Sequence, residues 1–174
     1  MNGTRENDRI WHGGSAAMVA GIVLASGCGG HNAPDLAAYQ QLLTQAGSAV
    51  AGHRDAGTHV SSVSDCAAEH SQYDGRMRSL IEQMKGMSGA MDDCMMSLGS
   101  SSGAGFREQC NSMLAELNAH AQAACQSTDL TQDWAESRRD CDAMSSLLDQ
   151  EQHDITMMNH MMGGSMMSGG TCHP

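Results

Sequence analysis

Residues 153–173 are dense in side chains that bind soft metal ions: His153, Met157, His160, Met161, Met166, Met167 and His173. In a helix, His153, Met157 and His160 fall on one face, opposite Ile155, Met158 and Met162. Core packing explains the second set and gives no reason for the first. Thioethers are neutral and soft, so this stripe suits Cu(I) or Ag(I) better than Zn(II) or Ca(II). Glycines at 163, 164, 169 and 170 loosen the continuation enough for Met166, Met167 and His173 to act as auxiliary ligands. Imidazole binds metal only when deprotonated, so uptake is expected to weaken as pH falls through ~6.5. Met84, Met87, Met91 and Met95 differ in lying along an apolar helical seam, where ordinary packing accounts for them.

A second group of candidates surrounds the expected turns. His53 stands about as far before one turn as Glu69 stands after it, and His120 and Glu136 repeat the arrangement. Two interhelical hydrogen bonds are the expectation, and a His₂Glu₂ metal site is the alternative. The Glu-x-x-His pattern of di-metal bundles is absent. His70 follows Cys66 by one helical turn, which makes a thiolate–imidazole pair possible unless a disulfide removes the thiolate.

The chain has seven cysteines. With Cys28 set aside, the other six form an even set suited to disulfides in an oxidising compartment. Cys94 and Cys110 flank a glycine-rich loop at similar distances and are the first expected bridge. Cys66 with Cys125 is the second, and Cys141 with Cys172 the third.

The elements that position these residues follow from composition and periodicity. Apolar residues make up 40% of the 174-residue chain but aromatics only 3%, with 16 Met, so the core must be Ala, Leu and Met, which favours helices over sheets. Apolar residues keep helical spacing at 36, 39, 43, 46 and 50, and again from 77 to 98, 106 to 117 and 134 to 162. The spacing predicts helices over 35–57, 64–96, 104–125 and 130–161, the second open to a break at Gly86 or Gly89. Shifting the chain against itself by 67 residues pairs Tyr39 with Phe106, His53 with His120, Glu69 with Glu136, Met77 with Met144 and Met91 with Met158. A diverged duplication follows, with repeats of approximately 35–98 and 102–165. Short connections make neighbouring helices antiparallel. The expected fold is therefore all-α, an up-down four-helix bundle over 35–162 made of two related hairpins, with a flexible tail at 163–174.

Function classes are bounded by charge and by missing motifs. A formal net charge of -11 repels a phosphate backbone, so nucleic acid is excluded as a partner. No Gly-rich phosphate loop, HExxH, Gly-x-Ser-x-Gly or CxxC occurs, and no enzymatic activity is expected.

The apolar run Ser15–Ala25 is about half the ~20 residues that cross a bilayer as a helix. It follows Arg5 and Arg9 and ends in small residues, the layout of a secretory signal. Its ending, Leu24-Ala25-Ser26-Gly27-Cys28, resembles a bacterial lipobox. The resemblance implies a signal peptide over 1–27, lipid on Cys28, a linker over 28–34, and a chain anchored to membrane in the cell envelope, facing the periplasm and on the outer membrane. The Met/His-rich C-terminal segment resembles those of periplasmic copper-resistance and copper-handling proteins. That likeness implies sequestration or delivery of Cu(I). The alternative is a structural or partner-binding envelope lipoprotein whose methionines form an adaptable apolar contact.

Overall fold

The structure is a computed structural model that describes residues 34–99, 105–127 and 129–167, with side chains through residue 163. Residues 1–27, where a signal peptide is expected, lie outside the described residues with Cys28, Cys172 and His173, as do the side chains of Met166 and Met167.

Four helices account for the fold: α1 (Leu36–Ala56), α2 (Val63–Ser97), α3 (Phe106–Ala123) and α4 (Leu130–Met167). No strand occurs among the described residues. Helix α1 packs on α2 and α4, and α3 packs on the same two, so α1 and α3 stand on one diagonal of an all-α bundle. The ends of α1 and α3 thus share one end of the bundle with the starts of α2 and α4.

Each start has a local cause. Asp35 Oδ1 accepts from Ala38 N at 2.9 Å, Ser62 Oγ accepts from Asp65 N at 3.1 Å, and Asp129 Oδ1 accepts from Thr131 N at 3.0 Å. Gly105 has no side chain to cap α3, and Asp92 on α2 takes that role, accepting from Phe106 N at 2.7 Å. A Cβ on Gly105 would stand 2.7 Å from the Asp92 carboxylate, so glycine is what lets this cap approach.

The core is a methionine column. Met77, Met84, Met91, Met113, Met144 and Met158 are fully or almost fully buried, with Ile81, Leu117 and Ile155 among them, and Met87 and Met95 pack against their edge. Burying each side chain contributes about 1.5–3 kcal/mol. Tyr39 and Phe106, paired by the 67-residue offset, meet edge to face at a centroid separation of 5.6 Å.

Two boundaries differ from expectation. Helix α2 runs unbroken through Gly86 and Gly89. Space beside Gly89 is filled by the Arg107 guanidinium, 2.7 Å from where a Cβ would be, and a helical glycine of this kind costs only about 1 kcal/mol. Helix α4 extends to Met167, beyond the expected end at 161 and into the segment read as tail, with Met162 packed against the core beyond that end.

Candidate metal centre

The end of the bundle that gathers the termini of α1 and α3 with the starts of α2 and α4 carries three buried imidazoles. His53 comes from the last turn of α1 and His120 from the last turn of α3, while His70 lies two turns into α2. Their exposures are 2%, 3% and 3% for His53, His70 and His120. One ring nitrogen of each lies within 4.8 Å of one on each of the others. His53 and His120 thereby meet across the diagonal along which their helix backbones stay apart, with ring centroids 5.3 Å apart.

Hydrogen bonding fixes the proton on each ring. His53 Nδ1 is 3.3 Å from Glu69 Oε1, His70 Nδ1 is 2.9 Å from the Cys66 carbonyl, and His120 Nδ1 is 2.9 Å from Asp140 Oδ2. Carbonyl and carboxylate oxygens only accept, so all three Nδ1 atoms donate and each neutral ring keeps its lone pair on Nε2. The Nε2 of His53 accepts from Ser137 Oγ at 3.1 Å. The buried Nε2 atoms of His70 and His120 have no hydrogen-bond partner among the described residues. Burial lowers the pKa of His53 to about 3, with the neighbouring His70 and His120 adding to the effect. Burial also lowers His70, against the opposing pull of its bond to Cys66. Neutral imidazole is the form that ligates metal.

Aromatic rings wall the cluster. Tyr73 stacks on His53 at 4.1 Å with 10° between planes, and Trp134 lies 4.8 Å from His70 and 5.2 Å from His53. A Cβ on Gly57 would collide with the Trp134 ring, so glycine at the end of α1 is what admits the indole. Asp74, one turn after His70, has a buried Oδ1 with no partner among the described residues. Burial raises its carboxyl, while His120 and His70 pull it back down.

The Cys66–Cys125 bridge adjoins the cluster, its Cα atoms 6.1 Å apart. Cys66 Sγ is 3.7 Å and Cys125 Sγ 3.5 Å from His70 Nδ1. The bridge expected first, Cys94–Cys110, is not formed. Cys110 turns instead toward α1 and α4, its Sγ donating to Glu151 Oε1 at 3.5 Å and lying 3.6 Å from the Tyr39 hydroxyl. Cys141 is a buried thiol, pushed up to about 11 by burial.

His53 and Glu69 pair as the sequence predicts, but His120 does not pair with Glu136. Asp140 takes its place, and Glu136 accepts from Gln132 Nε2 at 3.3 Å. The 67-residue offset sets Asp140 opposite Tyr73: where the first repeat stacks a ring on its histidine, the second supplies a carboxylate. The same offset sets Ser137 opposite His70, so the third imidazole has no counterpart in the second repeat. Tyr73, Asp74, Trp134, Ser137 and Asp140 are site residues that the sequence reading did not single out. Apolar spacing marks Trp134 as core, and pattern alone carries no signal for the others.

The C-terminal candidates sit elsewhere. His153 and His160 are exposed on α4, with Met157 and Met161 half-buried beside them and Ile155 and Met158 fully buried on the opposite face. No described helix is long and apolar enough to cross a membrane. Comparison with protein-family models, with curated proteins and with solved structures finds no match to this chain, so its function is argued from the chemistry of this site.

Proposed function

We propose that the protein binds a late first-row transition-metal ion, copper foremost, through His53, His70 and His120, and serves to sequester or deliver it. One observation carries the reading: three buried imidazoles hold their Nδ1 protons on oxygen acceptors, two of their Nε2 lone pairs having no partner. Leaving buried polar atoms unsatisfied costs about 1–3 kcal/mol each. A metal ion would recover that cost, and the Glu69, Cys66 carbonyl and Asp140 acceptors are the outer contacts that orient metal-bound histidines. Imidazole donors suit copper, zinc and nickel, and copper binds most tightly in that series.

In this reading the exposed stripe of His153, Met157, His160 and Met161 supplies a second, softer station for Cu(I), extended by Met166, Met167 and His173. The lipobox-like Leu24–Cys28 sequence supports lipid on Cys28, which would hold the bundle on a membrane in the cell envelope, where such a protein would meet incoming metal. The reading is tested by metal competition against a chelator with the purified full chain. His53→Ala and His120→Ala are each expected to weaken affinity at least tenfold. Absence of stoichiometric uptake would favour a structural envelope protein instead.

A further inference from the structure

His70 touches two different ligand sets. Its Nε2, buried and without a partner, belongs with His53 and His120. Its Nδ1 faces Cys66 Sγ at 3.7 Å and Cys125 Sγ at 3.5 Å, and these two sulfurs with His70 make a second group at metal-ligand spacing. A neutral imidazole has one lone pair, so it can serve only one set at a time. While the sulfurs are bridged they are poor ligands, and the Nδ1 proton rests on the Cys66 carbonyl. The lone pair is then held on the three-imidazole side.

We propose that reduction of the Cys66–Cys125 bridge creates a sulfur-rich site, Cys66–Cys125–His70, for a soft or borderline ion such as Cu(I) or Zn(II), and so decides which ligand set His70 joins. The inference rests on reading His70 as a ligand. In the chemical step a dithiol reductant gives two electrons and two protons to the S–S bond and becomes a disulfide itself. The bridge opens to two thiols. The metal ion then displaces both thiol protons to solvent and binds two thiolates, while the proton on His70 moves from Nδ1 to Nε2 so that Nδ1 can ligate. Two thiolates on one ion stand about 3.8 Å apart when each bond is ~2.3 Å, a separation that Cα atoms 6.1 Å apart can accommodate.

Two further features of the fold fit a bridge that opens. Cys125 is half-buried, so a reductant can reach it, whereas Cys66 is fully buried on the metal side. Cys125 also has φ 55°, a left-handed conformation that non-glycine residues seldom adopt and that clusters at functional sites.

The experiment uses the full chain in two forms, bridged and anaerobically reduced, with the reductant removed. Co(II) alone is the spectroscopic probe, and Zn(II) alone is the protecting ion in alkylation read peptide by peptide. The bridged form is expected to bind Co(II) without thiolate-to-cobalt charge transfer. The reduced form is expected to show that band, and Zn(II) should slow alkylation of Cys66 and Cys125 about tenfold or more. His70→Ala should abolish the protection and His120→Ala should leave it intact. Equal alkylation rates with and without Zn(II), or protection that survives His70→Ala, overturns the proposal without requiring any cysteine variant to fold. Failure of the three-imidazole site reads differently: the bridged form then takes up no Co(II), whatever the reduced form does.

Discussion

His120 Nδ1 donates to Asp140 Oδ2 at 2.9 Å, from the last turn of α3 to the third turn of α4. The bond holds the ring in the tautomer whose lone pair lies on Nε2, and outer contacts of this kind set metal affinity as much as the ligands do. Asp140→Ala should weaken metal binding about 10–100-fold while leaving helicity unchanged. Glu136→Ala should leave affinity where it is, since among the described residues Glu136 bonds to Gln132 of its own helix. Chelator competition on the two variants separates them, and a loss in Glu136→Ala with none in Asp140→Ala would show that the sequence-expected partner orients the ring.

Gly57 and Trp134 are coupled by space. Placing a methyl group at 57 forces the indole away from His53 and His70, which it otherwise covers at 5.2 and 4.8 Å. Gly57→Ala should therefore destabilise the fold by about 1–3 kcal/mol, although the right-handed backbone at position 57, φ -56°, by itself favours alanine over glycine. Pairing it with Trp134→Leu should recover most of the loss in a thermal melt. Additive losses in the double variant would locate the cost in the α1–α2 turn instead.

How far these features could be read from the sequence depends on the kind of order involved. Helical periodicity placed the four helices because the same apolar positions that mark the pattern, Leu43, Val50, Met77, Met84, Met113 and Met144, are the ones buried. The internal repeat correctly joined His53 to His120, since both occupy the last turn of a hairpin's first helix. It misleads where the 67-residue offset sets unlike residues against each other. An expectation built on symmetry assigns Glu136 to His120 and finds no third imidazole, because Asp140 replaces Tyr73 and Ser137 replaces His70. The expected Cys66–Cys125 bridge is present, and Cys141–Cys172 lies partly outside the described residues, whereas the Cys94–Cys110 expectation failed for another reason. Distance from a turn says that Cys94 and Cys110 are level along the bundle, but not that Cys110 points away toward Tyr39 and Glu151.

Glu151 makes stability depend on pH. It is completely buried, accepting from the Tyr39 hydroxyl at 2.6 Å and from Cys110, and burial raises its carboxyl to about 7, against the lowering effect of those two bonds. The unfolded carboxyl titrates near 4.5. Between these values the folded state binds the extra proton, so this contribution is fully present below about 4.5 and is lost as pH rises to about 7. The loss amounts to roughly 3 kcal/mol at most. Burial pushes Cys110 up to about 12, with Glu151 adding to it, so the thiol stays protonated across this window. Glu151→Gln should flatten the difference in unfolding free energy between pH 4.5 and pH 7.5. An unchanged slope in the variant would assign the pH dependence to other groups.

The exposed stripe on α4 can be separated from the buried imidazoles without shortening the chain. Cutting after Gln152 would remove Ile155 and Met158, both fully buried, and a loss of binding could then mean only that the bundle had opened. Substituting the outward residues avoids this, because His153 and His160 are exposed and Met157 and Met161 only half-buried. The double variant His153→Ala/His160→Ala should keep the bundle's melting temperature within a few degrees, surface changes of this kind being worth about 0.5 kcal/mol or less. It should also lose the softer class of Cu(I) uptake while retaining the class that His53→Ala removes. Titration of Cu(I) into the wild type and both variants resolves the two classes by stoichiometry. If the surface variant takes up as much Cu(I) as the wild type, with the same affinity, the stripe is not a station for the metal and the buried imidazoles alone account for binding.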